Sequence, residues 1–242
     1  MPAMDDDRLK PEEREVIDRN RWFSSLSPAL RHDILRRAFV KRFKHGEPLS
    51  LRGDPPRQWA ACLQGAVRIG STTASGKAIT LTYVEPGIWF GDISVFDGKP
   101  NTHDAHAHGK TAVLYVARQD FLDILEAHPE LHGALMRLQA SRVRMLFRLI
   151  EDFNVLSLRA RVAKQLMYLM RGPGAPGNAS DPATSIRLQL SQQELAQLLG
   201  ASRQRVNMEL KAMEHEGVIR IEFSAVMVLD KGALGRIANS EA

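Results

Sequence analysis

The chain is poor in cysteine, with one, Cys62, in 242 residues. A single thiol excludes an intrachain disulfide and any zinc or iron–sulfur centre built from several cysteines of this chain. Its apolar, strand-like surroundings read as a buried core thiol. Long hydrophobic runs are missing too, and none approaches the roughly 20 residues of a membrane-spanning helix. The opening segment MPAMDDDRLKPEER carries acidic residues and no apolar centre, so it does not read as a signal peptide. These absences predict a cytoplasmic protein with no membrane partner. Catalytic signatures are also lacking: there is no P-loop, no nucleophile elbow and no His-Glu metal motif. The chain is therefore not read as an enzyme, and no catalytic residue or metal site is assigned. Internal repeats and low-complexity tracts are absent. Charge is only mildly unbalanced, with 33 Lys+Arg against 28 Asp+Glu and a formal net charge of +5. The pI of about 9.5 suits a polyanionic partner only if placement concentrates the positive charge.

What is present is concentrated in residues 190–219, LSQQELAQLLGASRQRVNMELKAMEHEGVI. Ser191 with Glu194 three residues on is a capping-box pair that starts a helix. Leu195, Leu198 and Leu199 recur at helical spacing, and Gly200 ends that helix. Ser202 is a second cap, so a second helix starts at Arg203. Its Val206, Leu210 and Met213 step by four and three and face inward. Arg203, Gln204, Asn207, Met208 and Lys211 fall on the other side, and Gly217 ends the helix. Two short helices around a tight turn are the form of a helix-turn-helix, which reads duplex DNA through the N-terminal part of its second helix. Arg203 suits the two acceptors of guanine, and Gln204 or Asn207 the donor–acceptor pair of adenine. Arg205 and Lys211 suit phosphates, as does Ser202 at the positive end of a helix. Ser191 and Gln192 complete the predicted DNA-binding set. An ordinary amphipathic hairpin with a solvated face would share this pattern. The flanks favour DNA binding: VIRIEFSAVMVLD (218–230) reads as two strands around Ser224-Ala225, a wing, and residues 186–190 alternate as a strand does.

Earlier in the chain the periodicity changes twice. Residues 1–21 are highly charged and read as a flexible or loosely helical segment. Residues 22–43 read as short helices with Leu26, Leu30, Ile34 and Leu35 as the apolar stripe and a turn at Ser27-Pro28. From about 44 to 118, short alternating segments are punctuated by glycine. Examples are Trp59, Ala61 and Leu63, then Val67 and Ile69, then Ile79, Leu81 and Tyr83. Such spacing predicts a β-sandwich or barrel. Helix returns from about 119. After Pro129, Met136, Gln139, Val143, Leu146, Ile150 and Phe153 form a heptad seam, read as a dimer interface. Leu131, Leu135, Leu138, Met145 and Leu149 form a neighbouring stripe suited to covering the β-domain. Arg137, Arg142, Arg144 and Arg148 read as a solvated or ion-paired face. Residues 157–172 form another amphipathic helix, with Met167 and Met170 as domain-interface core, and 173–184 a Gly/Pro-rich loop. The hinge is placed near Asn154–Ser157.

Three parts in this order resemble the Crp/Fnr family of bacterial transcription regulators, over about residues 22–232. The resemblance rests on Gly46-Glu47, Gly53-Asp54, Gly65-Ala66-Val67, Gly76-Lys77, Pro86-Gly87 and Phe90-Gly91-Asp92, and on Ser202-Arg203-Gln204-Arg205-Val206. It implies an α+β fold in two domains: an N-terminal double-stranded β-helix (a jelly-roll-like β-roll), a long dimerisation helix and a C-terminal winged helix-turn-helix. The corresponding domains are a flexible 1–21, a cyclic-nucleotide-binding-like sensor 22–128, a dimerisation helix 129–156 and the DNA-binding domain 157–242. The implied partners are promoter DNA, a second copy of the chain and RNA polymerase.

The resemblance also places an effector pocket at Gly91, Asp92, Ile93, Ser94, His103 and Asp104. Family members that bind cyclic AMP carry an Arg-Ser or Arg-Thr pair where this chain has His103-Asp104. Asp92 is left to hold a ribose hydroxyl. Asp104 would repel a phosphate, at ~4 Å by ~1–4 kcal/mol, and histidine is only fractionally cationic at neutral pH. The sequence therefore calls for a small-molecule effector other than cyclic AMP, or for none, and for no cofactor. Arg203 matches the family's guanine-reading arginine, whereas Gln204 and Met208 stand where the cyclic-AMP-binding relative has glutamate and a second arginine, so a different half-site is expected. His103, His106 and His108 cluster, and His106 and His108 share a strand face at a spacing a metal could use. With no thiolate nearby, the cluster reads as a polar strand and turn face.

The sequence thus predicts a homodimeric regulator that binds a pseudo-palindromic promoter site under control of an unidentified effector. Two other readings remain: a cyclic-nucleotide-binding module acting on a protein partner, and a constitutive DNA-binding protein whose β-domain only supports the dimer.

Overall fold

The computed structural model describes residues 8–72, 78–170, 186–188 and 190–240. The chain divides into two compact units, Met1–Lys77 with Leu81–Arg142, and Ala78–Thr80 with Val143–Ala242.

In the first unit, helices α1 (Pro11–Asp18), α2 (Arg21–Ser24) and α3 (Pro28–Arg36) precede strands β1 (Phe39–Phe43), β2 (Pro48–Ser50), β3 (Gln58–Thr72), β4 (Ala78–Val84) and β5 (Trp89–Phe90). Helix α4 (Asp92–Asp97), strand β6 (Asp104–Ala117) and helix α5 (Arg118–Ala127) follow, then helix α6 (Glu130–Val155), which belongs to the first unit as far as Arg142 and to the second from Val143. The sheet runs β1-β6-β3-β4, with β2 also on β6 and β5 on β3. Because side chains alternate along a strand, β3 and β6 feed two cores. Trp59, Ala61 and Leu63 join Ala112, Leu114 and Val116 beneath the helices, with Phe23, Ile34 and Phe121. Ala60, Cys62, Val113 and Tyr115 build the opposite core. Burial pushes the Cys62 thiol up to about 12, so it stays protonated, as its core setting predicts. On β4 the alternating set is not an inward stripe, because Leu81 is 49% exposed.

The expectation of a flexible 1–21 needs correction from Pro11 to Asp18, which form a helix docked into the first core. Ile17 is fully buried, and Glu13 pairs with Arg42 at 2.5 Å. The charge density of this segment hid one buried face; residues 1–7 lie outside the described residues. Ser27-Pro28 starts a helix rather than a turn: the Ser27 hydroxyl accepts from the Leu30 amide, and Pro28 occupies the first helical position, where its missing N–H costs nothing. Asp33 sits between Arg36 (2.6 Å) and Arg37 (3.1 Å). Burial alone would raise its carboxyl, but hydrogen bonds from Arg37 and Arg36 outweigh burial and hold it below the usual carboxylate range.

The second unit contains α7 (Leu158–Leu169), β7 (Ile186–Leu188), α8 (Gln192–Leu198), α9 (Arg203–His215), β8 (Ile219–Glu222), β9 (Ala225–Val228) and α10 (Lys231–Ala238). Its sheet runs β7-β9-β8. Ser157 caps α7 by accepting from the Ala160 amide. The helix break therefore falls at the expected hinge, although the division into units falls earlier, after Arg142 inside α6. The 173–184 loop lies outside the described residues. Met167 lies against α10, where a Cβ on Gly235 would meet its methyl at 3.7 Å. Met170 is buried. Met167 thus packs on α10, a helix the sequence reading missed.

Candidate nucleic-acid interface and effector pocket

The helix-turn-helix is set by its caps. The Ser191 hydroxyl accepts from the Glu194 amide (3.2 Å), and the Glu194 carboxylate accepts from the Ser191 amide (2.7 Å). This is the predicted capping box, so the Ser191 hydroxyl is already engaged. Gln192, the first residue of α8, is half-buried. Gly200 (φ 60) and Gly217 (φ 74) are left-handed and close both helices in the same way. The amides of Ala201 and Gly200 donate to the carbonyls of Ala196 and Gln197, and those of Val218 and Gly217 to Met213 and Glu214. Paired bonds of this kind satisfy the last carbonyls of a helix and fix the exit of the chain. Ser202 caps α9 by accepting from the Arg205 amide at 3.3 Å.

Val206, Leu210 and Met213 are fully buried, with Leu195 of α8 beside them. With that stripe turned inward, α9 presents Arg203, Gln204, Arg205, Met208 and Lys211 to solvent, Met208 at 68% exposure. Among the described residues, none of the Arg203, Gln204, Arg205 or Lys211 side chains makes an intramolecular hydrogen bond or ion pair. Asn207 is half-buried, and its side-chain oxygen has no partner among the described residues. At the far end of α9, Arg159 of α7 donates to Glu216 at 2.5 Å. That guanidinium holds the Glu216 carboxyl below the usual range. Strands β8 and β9 pair from Ile219↔Val228 to Glu222↔Ala225, so the wing turns at Phe223-Ser224, one residue before the predicted position.

The predicted effector residues fall in two places: Gly91 to Ser94 at the start of α4, and His103 and Asp104 at the start of β6, where Asp104 pairs with Gly70 of β3. The side chains of Asp92, His103 and Asp104 are each engaged by their own chain. Asp92 opens α4 and is 2% exposed. Its carboxylate receives Arg142 Nη1 at 2.8 and 2.7 Å and also the side-chain amide of Gln139. Arg142 Nη2 donates to the Trp89 carbonyl at 2.5 Å. The Asp92 carboxylate, which the resemblance offers to a ribose hydroxyl, is thus held by its own chain. Gln139, placed in the dimer seam, turns to this carboxylate instead. Ser94 is buried, while Ile93 is 57% exposed. Asp104 accepts from the Arg52 backbone amide at 2.9 Å, and the His103 ring bonds the Thr102 hydroxyl at 2.9 Å. Arg142 and Gln139 were missed as pocket residues, because nothing at a separation of fifty residues along the chain signals such a pairing.

His106 lies across from Arg68 in the β3–β6 ladder and His108 from Ala66, so the two histidines share a face as predicted. The His108 ring meets Tyr83 at 5.0 Å and His45 at 5.5 Å. Among the described residues, no group of three or more His, Cys, Asp or Glu is arranged to hold a metal. No helix there is long and apolar enough to cross a membrane.

The long helix anchors Leu131 and Leu135 in the first core, Leu131 fully buried. Further along it, the seam residues Met136 (72%), Val143 (47%), Leu146 (53%), Ile150 (57%) and Phe153 (42%) are exposed. Of the neighbouring stripe, Met145 and Leu149 are exposed as well.

Two family models match the chain: "Cyclic nucleotide-binding domain" over residues 40–128 and "Crp-like helix-turn-helix domain" over residues 160–237. The Cyclic AMP receptor protein of Thermus thermophilus is 30% identical over 207 residues, covering 85% of this chain and 91% of that protein. The chain belongs to the CRP/FNR family of transcriptional regulators. The CRP-like cAMP-activated global transcriptional regulator of Mycobacterium tuberculosis is 29% identical over 224 residues, covering 93% of this chain and 99% of that protein. Among solved structures, a transcriptional regulator of the CRP/FNR family from Thermus thermophilus superposes with a TM-score of 0.70 at 26% identity, covering 84% of this chain and 100% of that one. The fold is accordingly the α+β arrangement expected, a cyclic-nucleotide-binding-type β-domain, a long helix and a helix-turn-helix domain. The chain is a DNA-binding transcriptional regulator of the CRP/FNR type.

Proposed function

We propose that the chain acts as a cytoplasmic homodimer that reads a pseudo-palindromic promoter site, controlled by a small molecule in the β-domain. The observation that carries this reading is the unengaged polar face of α9 on a helix fixed at both ends. Arg203 is assigned to guanine, Gln204 to adenine and Met208 to an apolar contact such as a thymine methyl. Asn207 contributes its side-chain amide. Ser202, Arg205 and Lys211 hold phosphates, and Ser191 and Gln192, at the start of α8, complete the DNA-binding set. The exposed seam of α6 supports the dimer, since an apolar stripe of this length on a monomer would stand in water. Two such subunits present recognition helices one DNA turn apart, and RNA polymerase is the protein partner that a promoter-bound regulator acts on.

The Mycobacterium and Thermus relatives carry cyclic AMP in their names. Here the paired Asp92 and the carboxylate of Asp104 argue for an effector without a phosphodiester. A module acting on a protein partner is disfavoured by the Crp-like helix-turn-helix over residues 160–237. Footprinting on the protein's own promoter region at physiological salt, with sedimentation of the free protein, tests the proposal. A dimer protecting two spaced half-sites is expected. Binding without sequence preference, or a monomer, overturns it.

A further inference from the structure

The wing carries a side chain that neither its turn nor its core explains. Phe223 is 96% exposed, beyond every other exposed large apolar residue described. It stands in the two-residue turn between β8 and β9, beside Ser224 (φ 54), the one non-glycine residue with positive φ among the described residues. Hairpin turns of this length favour Asn, Asp and Gly, which tolerate that backbone or bond it locally. A phenylalanine there gains nothing from the turn. Its hairpin neighbours Ile219, Ala225, Val226 and Val228 are buried, so the wing has a core and Phe223 is not part of it.

The hairpin is fastened to the recognition helix. The Ile221 amide donates to Glu214 of α9 at 2.6 Å, and only Gly217 and Val218 separate the DNA-reading element and its cap from β8. The tip is thus held at a fixed offset from α9, and the hairpin carries Arg220 and Glu222 on β8, one charge of each sign. An apolar side chain held beside a helix that enters the major groove meets the sugar–phosphate wall and the neighbouring minor groove.

We propose that Phe223 is a second DNA contact, an apolar wing tip that packs on deoxyribose and base edges of the minor groove flanking each half-site. This rests on the DNA-binding reading above. An apolar contact displaces no counterions, so it adds affinity without steepening the salt dependence. Apolar wedges in the minor groove also favour steps that unstack easily, so the flanks acquire a sequence preference through deformability rather than through hydrogen bonds.

The test uses the full-length protein and a duplex carrying its footprinted site. F223A is expected to weaken binding by roughly 5- to 50-fold, the range of a partly buried phenylalanine, with an unchanged slope of log K against log salt. Hydroxyl-radical protection should disappear at the flank and persist over the groove read by α9. F223L should retain most of the affinity, which guards against a folding artefact. Wild-type affinity and an unchanged footprint in F223A overturn the proposal. So does an altered sedimentation coefficient with unaltered DNA binding, which would make Phe223 a protein contact. Absence of any wild-type footprint overturns the DNA-binding reading along with this one.

Discussion

The recognition helix and the effector pocket handle polar groups in opposite ways. On α9 the side chains of Arg203, Gln204, Arg205 and Lys211 have no intramolecular partner among the described residues, although the backbone beneath them is fully capped. Among the predicted effector residues, three side chains have a partner from their own chain: Asp92 from Arg142 and Gln139, Asp104 from Arg52, His103 from Thr102. Buried charges need such partners, because an unpaired one costs far more than a pair returns. Exposed charges need none and remain available. A rigid surface with unengaged donors is thus ready for a partner, whereas a pocket with internally paired groups must exchange those bonds before it can hold a ligand. That exchange would act on α6, which carries both Arg142 and Gln139.

The most severe test of this contrast is at Arg142. Arg142→Ala leaves the Asp92 carboxylate buried, and a loss of about 3 kcal/mol is expected, the low end of the range for a severed buried pair because Arg142 is itself partly exposed. Urea denaturation followed by circular dichroism reads it, and pairing Asp92→Asn with Arg142→Met should recover most of the loss. Wild-type stability in the single variant would refute the pairing.

Next in size is Arg203→Ala, expected to cost about 1–3 kcal/mol of DNA affinity and to relax one base position. A uniform loss across all sequences would instead make Arg203 a phosphate contact. Lys211→Ala separates the two kinds of contact within α9 itself. It should weaken binding evenly and reduce the salt slope by about one, and a change in sequence preference would count against the phosphate role.

The smallest effect concerns Asp33, another internally paired group. Its folded carboxyl titrates below its unfolded value of about 3.9. The stability it contributes is therefore present above that value and lost as pH falls through the lower folded one. The urea midpoint of Asp33→Asn should lie below wild type at pH 6 and converge with it toward pH 2. A gap that does not narrow would place the stabilisation elsewhere.

Legibility in the sequence followed the range of the physical signal. Ser191 with Glu194, Ser202, Gly200 and Gly217 act within a few residues, and all of them sit where local rules place them. The buried stripe Val206, Leu210 and Met213 was equally visible, since its period is intrinsic to the helix. Helix α10 was missed because its eight residues present only Leu234, Ile237 and two alanines as apolar pattern. Helix α1 was obscured by charge, since only the tertiary fold decides that Ile17 and Glu13 turn inward. Gln139 fitted a heptad by spacing, yet its amide answers a carboxylate 47 residues away. No local rule carries that distance.

The aromatic cluster under the β-sheet has an optical consequence. The protein has three tryptophans, and Trp22, Trp59 and Trp89 all meet there, with Trp59 and Trp89 at 4.1 Å between ring centroids and Trp22 within 6.1 Å of both. The carbonyl of Trp89 is the one that Arg142 holds. Emission excited at the red edge of the indole band, where tyrosine does not absorb, therefore originates wholly in the first unit, and Tyr168 of α7 adds none to it. The molecule carries its own dye, placed beside the latch that an effector would have to release.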